Sequence, residues 1–139
     1  MTEFPITNWT PWSERLGIPG TERPGVYLMA HFDASPPSTV DATSDAIVYI
    51  GETCRSLRDR WRSFQRAIAE GKPGHSGGLS YHAAFCQAHP GSFEGRLYVA
   101  AIPITLSEPH TSAYIRHLER SLIWDFVQKH GRYPICNSK

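Results

Sequence analysis

Cysteine is scarce in this chain. Its three cysteines, Cys54, Cys86 and Cys136, are spread without close pairing, which gives neither a disulfide framework nor the ligand spacing of a structural zinc site. A reducing, cytoplasmic setting is therefore expected. No apolar run approaches the length of a membrane span, and the N-terminal MTEFPITNWTPWSERLG has no positive start followed by an apolar stretch. A soluble protein with no membrane partner is expected. Net charge is small too, at +1, so there is no global polyelectrolyte attraction, and contact with nucleic acid has to come from local clustering. No internal repeat or low-complexity tract is present either.

What the chain does have is clustered cations. Arg55, Arg58, Arg60, Arg62, Arg66 and Lys72 are six of its fourteen Lys and Arg residues, and only Asp59 and Glu70 stand against them in that stretch. The segment containing them, AIVYIGETCRSLRDRWRSFQRAIAEGK from Ala46 to Lys72, reads as a short apolar strand, a glycine turn and an amphipathic helix. At about 100° per residue, Leu57, Trp61, Phe64 and Ile68 share one face, with Arg58, Arg62 and Arg66 opposite. Arg60 falls at the shoulder of the apolar face beside Ala67. Its stem can pack there while its guanidinium reaches a cleft, a good position from which to hold a phosphate. Trp61, between Leu57 and Phe64, belongs to the core.

A length of 139 residues fits one domain. Residues 1–23, rich in Pro, Thr, Gly and Trp, read as an irregular arm with at most a helical turn near Trp12–Leu16. Gly25–Phe32 is the first strand, with Tyr27, Met29 and His31 on one face and Val26, Leu28 and Ala30 on the other. The polar, proline-containing segment 33–45 is a long loop to the second strand, Ala46–Gly51, where Ile47, Tyr49 and Gly51 share a face; pairing of these strands brings Tyr27 and Tyr49 into one cleft. Glu70–Gly78 is a turn or mobile loop carrying Lys72 and His75. Leu79–His89 reads as a second helix, with Leu79, Ala83 and Cys86 on one side; His82 and Cys86, one turn apart, read as ordinary helix surface in the absence of a second ligand pair. Leu97–Ile104 is a third strand, and Pro103 places it at an edge or marks its end.

The last element, Ser112–His130, carries an apolar stripe of Ile115, Leu118, Leu122 and Phe126. Glu119 lies about 40° from the centre of that stripe. A carboxylate there needs a salt bridge with Arg60 or Arg116, a raised pKa, or a bound cation. An inward acid, a shoulder arginine and two tyrosines on facing strands form a set suited to phosphodiester cleavage with one divalent metal. The carboxylate holds the ion, the arginine offsets charge developing on phosphoryl oxygens, and a tyrosine or histidine deprotonates or orients the attacking water. Oxygen ligation favours magnesium or manganese over zinc.

GVY at Gly25–Tyr27, YIG at Tyr49–Gly51, SLRDRW containing Arg60, HLERSLI containing Glu119 and PICN ending in Asn137 together resemble the GIY-YIG nuclease superfamily over roughly residues 24–139. The resemblance implies an α/β fold of the α+β type, a small three-stranded antiparallel sheet flanked by helices. It implies catalytic roles for Tyr27, Tyr49, Arg60, His75, Glu119 and Asn137, with Glu119 as the ligand of one Mg2+ or Mn2+ ion. The implied activity is hydrolysis of DNA, with Arg55, Arg58, Arg62, Arg66 and Lys72 in contact with the nucleic acid.

Three departures from the pattern shape the expectation. The interval from Tyr27 to Tyr49 is long, as in the restriction-enzyme branch. Glu52 stands where many members carry lysine and is expected to pair with an arginine. No separate DNA-recognition domain follows Asn137, so target specificity falls to the arm, the long loop or a partner. A monomer would nick, and a duplex break would need a homodimer or two visits. RNA cleavage and a non-catalytic nucleic-acid-binding module on the same scaffold are the alternatives.

Overall fold

Six consecutive residues of the first predicted strand, Gly25 to Ala30, are buried, which requires cover on both faces of the sheet. The computed structural model describes residues 4–138; residues 1–3 and Lys139, assigned above to the arm and the domain, lie outside the described residues. Its sheet contains β1 (Thr10–Pro11), β2 (Gly25–His31), β3 (Ile47–Thr53) and β4 (Leu97–Pro103), ordered β1-β4-β2-β3 with every pairing antiparallel. Four strands thus replace the expected three. The fourth comes from the arm, where Thr10 and Pro11 pair with Val99 and Tyr98. Thr7 extends this docking, donating its N–H to Ala101 O at 2.8 Å and accepting from Ala101 N on Oγ1 at 2.9 Å. The arm satisfies main-chain groups that an open β4 edge would leave bare. A 3-10 turn over Trp12–Gly17 follows, as the sequence predicts.

Helices α1 (Leu57–Glu70) and α2 (Ser76–Tyr81), the latter running into a π-helical turn at His82–Cys86, cover one face of the sheet. Helix α3 (His110–His130) covers the other, seating Ile115, Ile123 and Phe126 on Val26, Leu28, Ala100 and Ile102. The core is therefore double, and β2 contributes to both halves by simple alternation. Strand β3 breaks that alternation. Met29 pairs with Tyr49 but Ala30 pairs with Ile47, so Val48 is an extra residue in a bulge, and Ile47 joins the α3 side while Tyr49 stays under α1 and α2. The expected shared face for Ile47 and Tyr49 is corrected by that bulge.

Helix α1 forms where its periodicity places it and buries Leu57, Trp61, Phe64 and Ile68 together with Ala67. Ser56 caps its N-terminus by accepting from Asp59 N on Oγ at 3.2 Å, and Gly71, at φ +66°, ends it in the left-handed conformation that glycine adopts without a Cβ clash. The loop to β3 is irregular, as expected, and is tied to the end of α3 by His130 Nε2, which donates to Thr43 O at 2.6 Å.

Three expectations for residues 70–89 change. Helix α2 starts at Ser76, three residues earlier than the glycines suggest, because His75 caps it. On the segment that follows, Leu79 and Ala83 are exposed while Cys86 is buried. His82 is no plain surface residue: its Nδ1–H donates to Ile68 O at 2.9 Å and ties the π turn to α1. Of the four tryptophans, Trp61 is buried in the core as expected, Trp9 and Trp12 are buried where the arm docks, and Trp124 is 61% exposed. All three cysteines are free, and among the described residues no helix is long and apolar enough to cross a membrane.

Candidate active site

The β2–β3 register sets the first pair of site residues. Tyr27 lies opposite Gly51 and Tyr49 opposite Met29, so the tyrosines are diagonal neighbours, with ring centroids 6.1 Å apart. The glycine of YIG is required by this packing. A Cβ at Gly51 would sit 2.5 Å from Tyr49 Cε2 and 2.6 Å from Tyr27 Cζ. From the opposite edge of the Tyr49 ring, Gly77 of α2 comes so close that a Cβ there would overlap Cε1 and Cζ. Tyr49 is therefore held between two glycines from separate elements.

The two tyrosines differ in what they face. Tyr27 is 0% exposed, and its Oη lies 2.8 Å from His75 Nε2. His75 is 1% exposed and accepts Gly78 N–H on Nδ1 at 3.0 Å as the N-cap of α2. Burial, reinforced by the Arg60 charge, lowers the His75 pKa to about 3, so the ring is neutral. With Nδ1 accepting, the proton is on Nε2, and it is donated to Tyr27 Oη. The mobile-loop position expected of His75 is thus replaced by a locked one. Tyr27 and His75 form a buried support, with the tyrosine's pKa driven well up by burial first and by Tyr49 next.

Tyr49 instead lines an open cleft of about 460 Å³ together with Glu52, Arg60, Glu119 and Asn137. These residues come from β3, α1, α3 and the C-terminal segment. Burial raises Tyr49 to about 12, the Arg60 charge opposes that rise, and the carboxylates of Glu119 and Glu52 add to it. Arg60 reaches the cleft as its shoulder position predicts, and its Nη1 donates to Gly74 O at 3.0 Å.

Glu119 stands one helical turn from both Ile115 and Ile123 and points along the buried stripe of α3, but its level on the helix meets the cleft instead of the core. Among the described residues, no cation is within 4.0 Å of its carboxylate, so the salt bridge with Arg60 or Arg116 is not formed. Burial raises its pKa, Glu52 raises it further, and Arg120 counters. Glu52 is likewise without an ion pair among the described residues, contrary to the expected arginine partner. The nearest recorded contact is a weak one from Cys54 Sγ at 3.7 Å.

Asn137, which also lines the cleft, is anchored to the main chain of β3. Its Oδ1 accepts from Ile50 N and its Nδ2 donates to Ile50 O, both at 2.9 Å. A side-chain amide thereby stands in for a strand residue along the free edge of β3, helped by Cys136 N donating to Val48 O at 2.8 Å. This fixes the C-terminal wall of the cleft.

The expected nucleic-acid contacts divide. Arg55, Arg62 and Arg66 line a second groove of about 560 Å³ beside α1, whereas Arg58 and Lys72 line neither this groove nor the cleft. Lys72 pairs with Glu70 at 3.2 Å, and the Arg58 main-chain N–H is used on Thr21 O. The groove also includes Arg116, expected from the sequence only as a partner for Glu119. Its signal was available: Arg116 precedes Glu119 by three residues on α3 and so shares its side of the helix. The doublet Gly77–Gly78 carried the other missed signal, marking a helix start that must lie flat on Tyr49 and on Ala67 of α1.

As a cation site the cleft offers two carboxylates, Glu52 and Glu119, and no set of three converging His, Cys, Asp or Glu side chains is found among the described residues. That donor set fits a hard ion such as Mg2+, which keeps several waters and takes one or two carboxylates plus phosphate oxygens. It does not fit a closed zinc site. Comparison of the chain with protein-family models, curated proteins and solved structures finds no match.

Proposed function

We propose that the chain is a divalent-metal-dependent endonuclease that hydrolyses phosphodiester bonds of DNA at the Tyr49–Arg60–Glu119 cleft, in the manner implied by its resemblance to the GIY-YIG superfamily. The observation that carries this reading is the convergence of Tyr49, Arg60 and an unpaired Glu119 on one cleft, drawn from β3, α1 and α3. Glu119 is half-buried against that cleft, and among the described residues no cation lies within 4.0 Å of its carboxylate, which leaves it available to a bound ion.

Glu119, with Glu52 across the cleft, would hold the ion, which when bound supplies Lewis-acid polarisation of the phosphoryl group and acidifies water. Arg60 presents its guanidinium to the non-bridging oxygens, where negative charge grows as water attacks phosphorus and the P–O bond to the leaving group breaks. Tyr49, with its pKa near 12, is protonated at neutral pH, so its Oη–H donates a hydrogen bond that orients the attacking water or a phosphoryl oxygen. Tyr27 and His75 stay out of reach of substrate and support Tyr49 and Arg60 from below.

The test is digestion of labelled single-stranded, branched and duplex DNA, with matched RNA in parallel, by the full chain in Mg2+ or Mn2+. Cutting that disappears in Glu119→Ala is the expected result. No cutting of any substrate, or equal cutting by Glu119→Ala, refutes the enzyme. Salt-sensitive binding that persists in Glu119→Ala without cutting would identify a binding module instead.

A further inference from the structure

We propose that Arg116 of α3 joins Arg55 and Arg66 beside α1 in a two-walled track for the sugar–phosphate backbone of a nucleic-acid strand, which delivers that strand to the cleft at Arg60. This rests on the nuclease reading of the cleft and adds the route by which a polymer reaches it. The groove of about 560 Å³ and the cleft of about 460 Å³ are neighbours that share Glu52 and Arg60 as lining residues. Walls from two different elements grip a chain from both sides, where a single basic helix face would only attract it.

The state of the arginines points the same way. Arg62 is engaged by Asp59 at 3.1 Å. Among the described residues, no carboxylate lies within 4.0 Å of Arg55, Arg66 or Arg116. Several unpaired guanidinium groups around one groove repel one another, and a polyanion relieves that repulsion while matching their fork geometry. Net charge is only +1, so this concentration is local and does not follow from a generally basic surface. Glu52 and Arg60 stand at the junction, so a strand lying among the groove arginines reaches Arg60 and the carboxylates that would hold the ion.

The experiment is fluorescence anisotropy of a labelled single-stranded DNA oligonucleotide, and of RNA of the same sequence, with the full chain in EDTA so that no cutting intervenes. Arg66 and Arg116 are exposed, so their alanine variants keep the fold, which thermal melting verifies. Arg116→Ala and Arg66→Ala should each weaken binding about fivefold, as loss of one exposed ion pair does at most, and each should lower the slope of log affinity against log salt by about 0.7. Arg58→Ala and Lys72→Ala should bind as the wild type does. The nucleic acid that responds more strongly to Arg116→Ala is the one the track serves. The track is overturned if Arg116→Ala binds within twofold of the wild type, if Arg58→Ala weakens binding as much as Arg116→Ala, or if the wild type binds neither oligonucleotide. Cutting that still depends on Glu119 alongside normal binding by Arg116→Ala would remove the track and leave the nuclease reading standing.

Discussion

Replacing Tyr27 by Phe separates the two tyrosines more sharply than any other single change. The phenol ring of Tyr27 is packed at 0% exposure and its hydroxyl is the acceptor for His75 Nε2–H at 2.8 Å, in a place where His75 is itself only 1% exposed. Phe keeps the packing and removes the acceptor, leaving a buried N–H donor unsatisfied, which costs about 1–3 kcal/mol. For a chain of 139 residues this corresponds to a melting point lower by roughly 4–12 °C. Tyr49→Phe removes a hydroxyl that lines an open cleft, so its melting point should stay within about 0.5 kcal/mol equivalent of the wild type. Activity should show the reverse order, with cleavage nearly lost in Tyr49→Phe and partly retained in Tyr27→Phe once the protein is assayed well below its melting point. Thermal unfolding by circular dichroism and a plasmid-nicking assay on both variants measure the two axes. A Tyr27→Phe protein that melts with the wild type, or a Tyr49→Phe protein that loses as much stability as Tyr27→Phe, would show that the assignment of Tyr27 as buried support and Tyr49 as the cleft-lining actor is wrong.

Acid should loosen the fold through His75. Its folded pKa of about 3 lies below the ordinary histidine value, because burial and then Arg60 disfavour the charged ring; the unfolded chain therefore takes up the proton first, and stability that is complete above about pH 6.5 is lost as pH falls toward 3. His75 alone should cost on the order of 2 kcal/mol between pH 6.5 and pH 5, and the lowered pKa of His31 acts in the same direction. Urea midpoints at pH 7 and pH 5 should differ much less in His75→Asn, which keeps a capping acceptor for Gly78; an undiminished difference counts against this. Asn137→Ala removes both bonds to Ile50 and should lower stability by about 1–3 kcal/mol while speeding amide exchange at Ile50; unchanged exchange there would mean that the edge is held by something else. Gly77→Ala forces a methyl group into the Tyr49 ring, an overpacking cost of about 1–3 kcal/mol set against about 1 kcal/mol of better helix propensity. The net loss should be accompanied by reduced nicking, and a variant that is both stabler and fully active would contradict the close approach.

Much of this architecture was legible in the sequence because it is written in periodicity. Leu57, Trp61, Phe64 and Ile68 recur at helical spacing and are buried as a set, and Val26, Leu28 and Ala30 alternate with Tyr27 and Met29 between two cores. Helical angle sets Arg60 at the shoulder of the α1 apolar face and Glu119 inside the α3 stripe, and the fold brings both to one cleft. What periodicity does not encode is what a residue's neighbours in space already use. His75 reads as a loop histidine among glycines, and only the tertiary contact with Tyr27 and the cap on Gly78 show that both ring nitrogens are occupied. Asn137 reads as a site residue by its place in a motif, and only the tertiary structure shows that its amide also bonds the main-chain N–H and C=O of Ile50. The bulge at Val48 has no local signature, so the face of Ile47 could not be read from alternation. The pairing of Thr10 and Pro11 with β4 is non-local in the same way, since two residues of irregular arm carry no strand pattern of their own.

The grip of Gly51 and Gly77 on Tyr49 also governs motion. Aromatic rings in ordinary cores turn over by half-rotations whenever the surrounding packing breathes, and the two sides of the ring then become equivalent on the NMR timescale. For Tyr49 one ring edge meets the β3 main chain at Gly51 and the other meets the first turn of α2 at Gly77, so a half-rotation requires α2 to lift from the sheet. Since α2 is itself held down through the His75 cap and its bond to Tyr27, the ring-flip rate of Tyr49 becomes a clock for the opening of that short helix. Separate resonances for the two sides of its ring would report a closed wall, and their merging would report the wall beginning to move.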